Sequence, residues 1–478
     1  MANITETLRR TSQTAPDAAA LILSDGRVMS YRALDGVVDA IGAQLRRLGL
    51  QTGDLVALPR DQLSAADYAA SLIIGLALAR IGVASCNQLI PNLPIRAVLL
   101  PPGGVAPGSD LPVLTVQPGW FDPKPDTPAC PMAPGGETVL ALVGTSGTTG
   151  LRRLMALTHG MMRARMKVET IPGLAPGQRP VLMSGKASSS WLRTMFNIFE
   201  LGGTIVLPEV SESAAFIHRF GVTTLYASVG WLQLLLPQLS GPRPASVRAV
   251  KVGGSALPPL LAEQAAARLC PNIHTGYGAT EIGNIAIGRR AELQTAHGLG
   301  VGFVHSTVRL EVTDEHGSPL PPDTEGEIRV RAAGMVQGYL QAQPGDRSFR
   351  GGWFHPGDLG VLTKDRVLVL RGRVSQMIEA DGAFIPQRRI EEVLQACPGV
   401  MEAAVFTAPN AQGQSLIWAA LVGDGSVQLA ELRRACEAKL GAAASPGGFL
   451  QLAHLPRNEA GKVAVAELTE MVRSRTKT

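Results

Sequence analysis

Thr145-Ser146-Gly147-Thr148-Thr149-Gly150 follows the apolar run Val139-Leu140-Ala141-Leu142-Val143. The run reads as a strand and the hexamer as the loop that leaves it. Two glycines let the backbone turn sharply and approach a ligand closely. Four hydroxyls and the backbone N–H groups offer donors to phosphate oxygens. Arg152 and Arg153 follow at once and add positive charge. No Gly-Lys-Ser/Thr ending is present, so this is not a Walker A loop. Leu154-Met155-Ala156-Leu157 is a second apolar run, and a helix is predicted only after Thr158-His159. The local order is therefore strand, loop, strand. Taken alone, the hexamer fits an ordinary Ser/Thr/Gly surface loop as well as a phosphate cradle.

Upstream of it, residues 18–58 read as hairpin, helix and strand. Asp25-Gly26 suits a tight turn between apolar runs. Residues 31–48 place apolar side chains at helical spacing, and Gly49 is the stop signal. Residues 55–58 predict a short buried strand. The longest mostly apolar run, 69–79, ends at Arg80 and falls short of the ~20 residues of a spanning helix. It predicts a buried core helix. Residues 101–134, rich in Pro, Gly and Asp, read as a long surface connection or a poorly ordered one.

Downstream, strand and helix patterns alternate from Val139 to about Val308, which argues for layered α/β architecture. Residues 309–312 and 326–331 alternate at period two around Asp314-Glu315-His316-Gly317 and predict an antiparallel, β-rich subdomain. Gly372-Arg373-Val374-Ser375 breaks the pattern. Beyond it, a helix at 389–396, strands at 403–407 and 416–422 and a helix at 429–440 predict a compact α+β unit. The fold class is α/β. A large N-terminal region, residues 1–373, is expected to precede a small mobile α+β domain, residues 374–478.

Composition narrows the function classes. The 478 residues are 45% hydrophobic and only 4% aromatic, with 53 Gly and 34 Pro. Many tight loops around aliphatic cores are implied, not disorder. Lys+Arg 44 against Asp+Glu 39 leaves +5. No basic block occurs beyond Arg473, Arg475 and Lys477, which argues against a dedicated nucleic-acid binder. Residues from Val374 on hold ten basic and eleven acidic side chains, so the positive excess lies on the N-terminal part and suits an anionic ligand. Five scattered cysteines without a CxxC pair exclude the usual zinc spacings and a disulfide scaffold. The start, MANITETLRRTSQTAPD, has no apolar secretory core. A cytoplasmic protein with no membrane partner is expected.

Four further segments carry chemistry. Gly276-Tyr277-Gly278-Ala279-Thr280-Glu281 reads as a GxG turn followed by a hydroxyl for phosphate and a carboxylate for Mg²⁺. Tyr277 offers a flat face for a base ring; a loop with a helix-capping Thr is the plainer alternative. In Gly352-Trp353-Phe354-His355-Pro356-Gly357-Asp358, a turn brings Asp358 to a strand entrance, where a carboxylate can take both hydroxyls of a ribose. Gly372-Arg373 lies between the two domains. Lys462 sits in Pro456-Arg457-Asn458-Glu459-Ala460-Gly461-Lys462-Val463. For Asp358, Arg373 and Lys462 the plain readings are a hairpin acid, a solvated linker and a solvated turn.

In this order and spacing the five segments resemble the adenylate-forming superfamily: acyl-CoA synthetases, aryl-CoA ligases, peptide-synthetase adenylation domains and luciferases. The resemblance runs from Ala18 to Val463, with support from Lys251-Val252-Gly253-Gly254-Ser255-Ala256-Leu257 and Val400-Met401-Glu402-Ala403-Ala404-Val405. It implies that Thr145, Ser146, Gly147, Thr148, Thr149 and Gly150 cradle the β- and γ-phosphates of ATP. Thr280 would touch the α-phosphate and Glu281 hold Mg²⁺. Adenine would lie between Gly254, Ser255, Ala256 and Tyr277, and Asp358 with Arg373 would bind the ribose. Lys462 would bridge the attacking carboxylate and the α-phosphate. The implied reaction makes an acyl-adenylate and pyrophosphate, then passes the acyl group to coenzyme A. The small domain would rotate about a hinge at Ser375, opening a thiol path past Gly382.

The chain departs from the family pattern at several points. Arg152-Arg153-Leu154 stands where Pro-Lys-Gly is usual, with Arg153 in place of the Lys. Pro356 replaces a Thr, Ser375 the hinge Asp or Lys, Glu379 a Lys, and Arg389 an acid. Ser184-Gly185-Lys186-Ala187-Ser188-Ser189-Ser190-Trp191-Leu192-Arg193 aligns with the part that shapes the acid pocket. Ser189 stands at the slot where amino-acid-activating relatives carry an Asp, which disfavours an α-amino acid. The pocket residues are then Ser189, Arg193, Gly253 and Gly276. Arg193 can bind a second carboxylate, although an Arg on an amphipathic helix is more often solvated. Ser188 to Ser190 suit a helix cap equally. A small or medium aryl or aliphatic acid is expected. Two alternatives stay open: loading of an acyl-carrier protein, and a non-catalytic nucleotide-binding relative. The oligomeric state is open too. An NAD enzyme and an α/β-hydrolase are disfavoured, since neither GxGxxG nor GxSxG occurs in suitable context.

Overall fold

The apolar runs join into two large sheets, and the helices between them fill the interior. The computed structural model describes residues 2–59, 65–105, 108, 110–122, 129–144, 153–168, 180–183, 188–341, 346–380, 383–409, 415–457 and 462–476. The smaller sheet has the strand order Val113–Thr115, Ile95–Leu100, Leu55–Ala57, Ala84–Cys86, Val139–Gly144, Leu154–Thr158. Its first five strands are parallel, and the sixth returns antiparallel with Gly144 opposite Leu154. The Ser/Thr/Gly hexamer falls between these two strands in the sequence. With residues 151 and 152 it lies outside the described residues.

Among the described residues the larger sheet has 15 strands. One half is parallel, in the order Ala19–Ile22, Thr204–Val206, Pro180–Met183, Thr224–Ser228, Ala249–Gly253, Ile273–Ala279. From there it turns antiparallel through Gly283–Arg289, Gly302–Val304, Val367–Arg373, Asp358–Leu362 and Glu325–Arg331. The β-rich part is thus a continuation of the α/β sheet through the hairpin at 280–282. Arg309–Thr313 pairs with Glu325–Arg331 as the alternation predicts, across a longer loop than the turn at Asp314 suggests.

Two readings need correction. Residues 101–134 are more than a connection: Val113–Thr115 adds an edge strand beside Ile95–Leu100, and Pro118–Phe121 forms a 3₁₀ turn. Short apolar stretches among Pro and Gly are hard to recognise as strands until a neighbour pairs with them. Residues 276–279 are strand, not turn, and no helix follows Thr280. The glycines serve close strand approach instead, since a Cβ on Gly278 would run into the carbonyl of Gly283.

One apolar core joins both sheets around the helices Tyr31–Arg47, Ala65–Ile81 and Ser189–Glu200. The run read as a core helix is one, with Ile74, Ala77 and Leu78 fully buried. Its last turn buries Arg80 completely, which is tolerable because Asp35 and Asp39 pair with it at 2.6 and 2.8 Å. Strands of the larger sheet leave into capped helices: Ser188 and Ser228 accept from the N–H groups of Trp191 and Trp231 at 3.2 Å.

Beyond Arg373 a 3₁₀ turn, Val374–Gln376, leads into a hairpin of Met377–Ala380 and Ala383–Pro386. A separate three-stranded sheet follows: Val400–Pro409, Ser415–Gly423 and Gly448–Gln451. The helices Gln387–Gln395 and Leu429–Leu440 contribute to one of its apolar clusters, and Val465–Thr476 to the other. The layering is the large α/β region and smaller α+β unit expected from the sequence. Among the described residues no helix is long and apolar enough to cross a membrane.

Candidate active site

The parallel strands of the larger sheet carry their C-terminal ends to a cleft of about 1950 Å³. Open α/β sheets bind ligands at such strand ends, because loops there converge and helix N-termini point inward. Ser228, Gly253 and Gly276 line it from three neighbouring strands. Met401, Glu402, Arg457 and Lys462 line it from the C-terminal unit. Residues more than two hundred positions apart thus share one hollow.

Glu281 sits in the turn between Ile273–Ala279 and Gly283–Arg289, beside Thr280, and both line the cleft. Its backbone carbonyl accepts from Arg165 Nη2 and from the Val336 N–H, each at 2.9 Å. Its Oε1 accepts the Tyr339 hydroxyl at 2.6 Å. Tyr339 in turn lies under the Arg153 guanidinium, 5.3 Å from ring centroid to Cζ. Arg153 also reaches Ser348 Oγ at 3.1 Å and Asp346 at 3.4 Å. Arg153 is therefore a positioned cation on the cleft wall.

Asp358 opens the strand Asp358–Leu362 directly opposite Arg373. Its Oδ1 accepts from Arg373 Nε at 2.8 Å and its Oδ2 from the Tyr277 hydroxyl. Burial, reinforced by the Asp358 charge, pushes the Tyr277 phenol well above its usual range, so it remains a donor. Arg373 lines the cleft, while Asp358 and Tyr277 are not part of its lining. Lys462 feels Arg373, Asp358 and Glu281. Burial and then the Arg373 charge lower its pKa from the ordinary lysine value, and the two carboxylates pull it back.

Of the sequence-predicted site residues, Arg153, Ser189, Arg193, Gly253, Gly254, Gly276, Thr280, Glu281, Arg373, Ser375 and Lys462 line this cleft. Ser255 and Ala256 follow Gly254 but are not part of its lining. Thr145 to Gly150, Lys186 and Gly382 lie outside the described residues. The solvated reading of Arg193 is overturned: it is 1% exposed and faces the cleft from the helix Ser189–Glu200. That helix is packed on most of its circumference, so its polar positions do not reach open water.

Three residues escaped the sequence reading. Tyr339 holds Glu281, Arg165 holds the turn that presents it, and Lys251 lines the cleft at 3% exposure with its ammonium 5.3 Å above the Tyr226 ring. Only Lys251 left a signal, as a lysine inside an otherwise apolar strand. A metal site fits in part. Magnesium takes one or two carboxylates plus substrate phosphates, and Glu281 is such a carboxylate on the cleft wall. No cluster of three or more His, Cys, Asp or Glu suited to a metal occurs among the described residues.

The model of the AMP-binding enzyme family matches residues 108–340, and that of the AMP-binding enzyme C-terminal domain matches residues 389–462. The sulfoacetate–CoA ligase of Cupriavidus necator is 28% identical over 94% of each chain. The 2-succinylbenzoate–CoA ligase of Bacillus mycoides is 29% identical over 70% of this chain and 71% of that one. The crystal structure of ATP-bound MatB from Rhodopseudomonas palustris superposes with a TM-score of 0.82 at 21% identity, covering 99% of this chain and all of that one. At that identity the likeness is one of fold. The two family matches together span more than half of the chain, which belongs to the AMP-binding, adenylate-forming enzymes.

Proposed function

We propose that this chain is an AMP-forming acid–thiol ligase that activates a carboxylic acid with ATP and passes the acyl group to coenzyme A. The observation that carries the reading is the meeting of Lys462, from the C-terminal unit, with Thr280 and Glu281 in one cleft, within electrostatic reach of Asp358 and Arg373. The named CoA ligases among its relatives support the same reaction class.

In the first step a carboxylate oxygen attacks the α-phosphorus of ATP, the bond to the bridging oxygen breaks, and pyrophosphate leaves. Two anions must approach each other, so the barrier is mostly electrostatic and positional. No general base is needed, because the nucleophile is already ionised. Lys462 places a cation between the carboxylate and the α-phosphate, and Thr280 donates to a phosphate oxygen. Glu281 would hold Mg²⁺, which offsets phosphate charge when bound. Tyr339 fixes that carboxylate, and Arg153 adds a cation on the phosphate side. Asp358, steadied by Arg373 and Tyr277, accepts from the ribose hydroxyls. In the second step a thiol sulfur attacks the acyl carbon and AMP leaves. We place the hinge for the intervening motion at Val374–Gln376, around Ser375, with residues 1–373 and 374–478 as the two moving bodies. Such motions are absorbed by few residues. The cytoplasm, where ATP and coenzyme A are available, is the setting we assign.

The test is pyrophosphate release with ATP, Mg²⁺ and a panel of carboxylic acids, followed by thioester detection on adding coenzyme A. Lys462→Ala is expected to lower release by about a hundredfold or more, the scale of losing one preorganised charge contact, while the melting temperature stays near that of the parent. Release from the variant at the parent rate would remove Lys462 from the site.

A further inference from the structure

The cleft wall beside the hairpin 273–289 carries buried positive charge. Arg193, on the helix Ser189–Glu200, is 1% exposed and lines the cleft. Arg165, on the helix His159–Met166, is 2% exposed. Both reach the same point of the backbone. A Cβ added at Gly283 would lie 3.1 and 3.2 Å from Cγ and Cδ of Arg165 and 3.5 Å from Nη1 of Arg193. Gly283 and Asn284 themselves line the cleft. Lys251, 3% exposed, lines it from the strand Ala249–Gly253.

Arg165 is held by neutral partners, with Nε donating to the Gly334 carbonyl at 2.8 Å and Nη2 to that of Glu281 at 2.9 Å. Its Nη1 is buried with no hydrogen-bond partner among the described residues. Arg193 and the Glu281 carboxylate both lie within electrostatic reach of it. Glu281 is assigned to Mg²⁺ and already accepts from Tyr339. Two guanidinium groups within electrostatic reach of each other repel. An arriving anion would offset that repulsion, and Arg presents a planar fork matched to carboxylate or sulfonate oxygens.

Resting on the ligase reading above, we propose that the acid this enzyme activates carries a second anionic group, a carboxylate or a sulfonate, seated on Arg193 with Arg165 backing it. The carboxylate to be activated lies toward Lys462, and the second anion points to the Arg193 wall. Arg193 touches the substrate; Arg165 acts through it, as a positioning cation.

The experiment compares size-matched acid pairs by pyrophosphate release: succinate with 4-methylpentanoate, sulfoacetate with 3,3-dimethylbutanoate, and phthalate with 2-isopropylbenzoate. In the parent enzyme kcat/KM favours the dianion by about tenfold or more in at least one pair, the worth of one charge-assisted hydrogen bond. The carboxylate and sulfonate arms identify which group is taken. Arg193→Met lowers that preference ratio by about tenfold or more, chiefly through KM for the dianion, and Arg193→Lys restores part of it. A purely structural arginine would lower both members of a pair alike and leave the ratio where it was. Should Arg193→Met not fold, thermal shift of the parent with AMP decides instead: the dianion raises the melting temperature more than its monoanionic partner. The inference is overturned if monoanions are used as well as dianions in every pair, or if the ratio survives Arg193→Met. Absence of release with every acid overturns the ligase reading itself, and this inference with it.

Discussion

Asp358 shows how much one residue does at this site. Both of its oxygens are already engaged, by Arg373 Nε and by the Tyr277 hydroxyl. A carboxylate has about four lone-pair directions, so two acceptors remain for a diol. Asp358→Asn keeps the volume and removes the charge. It is expected to raise KM for ATP by about tenfold to a hundredfold, the range for hydrogen bonds to a charged group. Initial rates against ATP concentration check this, and an unchanged KM would place the ribose elsewhere. The residue scale was only partly legible. Glu281, Asp358 and Lys462 stand in recognisable local strings. Tyr339 and Arg165 do not, because what matters about them is the distant group they touch.

At the scale of elements, the hairpin of Ile273–Ala279 and Gly283–Arg289 is the central device. It ends the parallel half of the sheet, begins the antiparallel half, and holds Thr280 and Glu281 at its tip. The GxG spacing was visible, but its purpose was not, since backbone approach across a hairpin cannot be told from a tight turn in one strand's sequence. A second element junction predicts pH dependence. His159 begins the helix His159–Met166, is fully buried, and accepts the Ile4 N–H on Nδ1 at 3.0 Å. Burial, aided by the Arg163 charge, pulls its pKa down to about 4. The unfolded chain titrates near about 6.5, so it binds the extra proton first as pH falls. Stability from the neutral ring is therefore whole above about 6.5 and drains between about 6.5 and 4. At about pH 5 the loss is roughly 2 kcal/mol. Thermal melts across that window should fall more steeply for the parent than for His159→Gln. Parallel slopes would show that His159 does not contribute.

For the whole molecule, an ion pair inside the C-terminal unit stands where that unit meets the large region. Arg457 pairs with Glu402 at 2.6 Å, and its Cδ approaches the helix Val229–Leu235 at Gly230. Glu402 is 3% exposed, and burial raises its pKa despite the Arg457 charge. Removing one partner of a buried pair leaves the other uncompensated, at a cost of about 3–5 kcal/mol. Arg457→Ala should lower the melting temperature by several degrees, and adding Glu402→Gln should recover part of the loss. A melting temperature unmoved by Arg457→Ala would mean that the pair is dispensable.

The amino-acid order alone determined the layered α/β architecture, the small α+β unit after Arg373, and the family to which the strings at 276–281, 352–358 and 456–463 point. Periodicity, turn residues and linear motifs are local properties, readable without coordinates. Only the folded chain decided that the β-rich part prolongs the main sheet, that Arg193 and Lys251 are buried in the cleft, and that Lys462 shares a field with Glu281 and Asp358. Burial and charge proximity arise between segments far apart in the chain, and no window of sequence contains them.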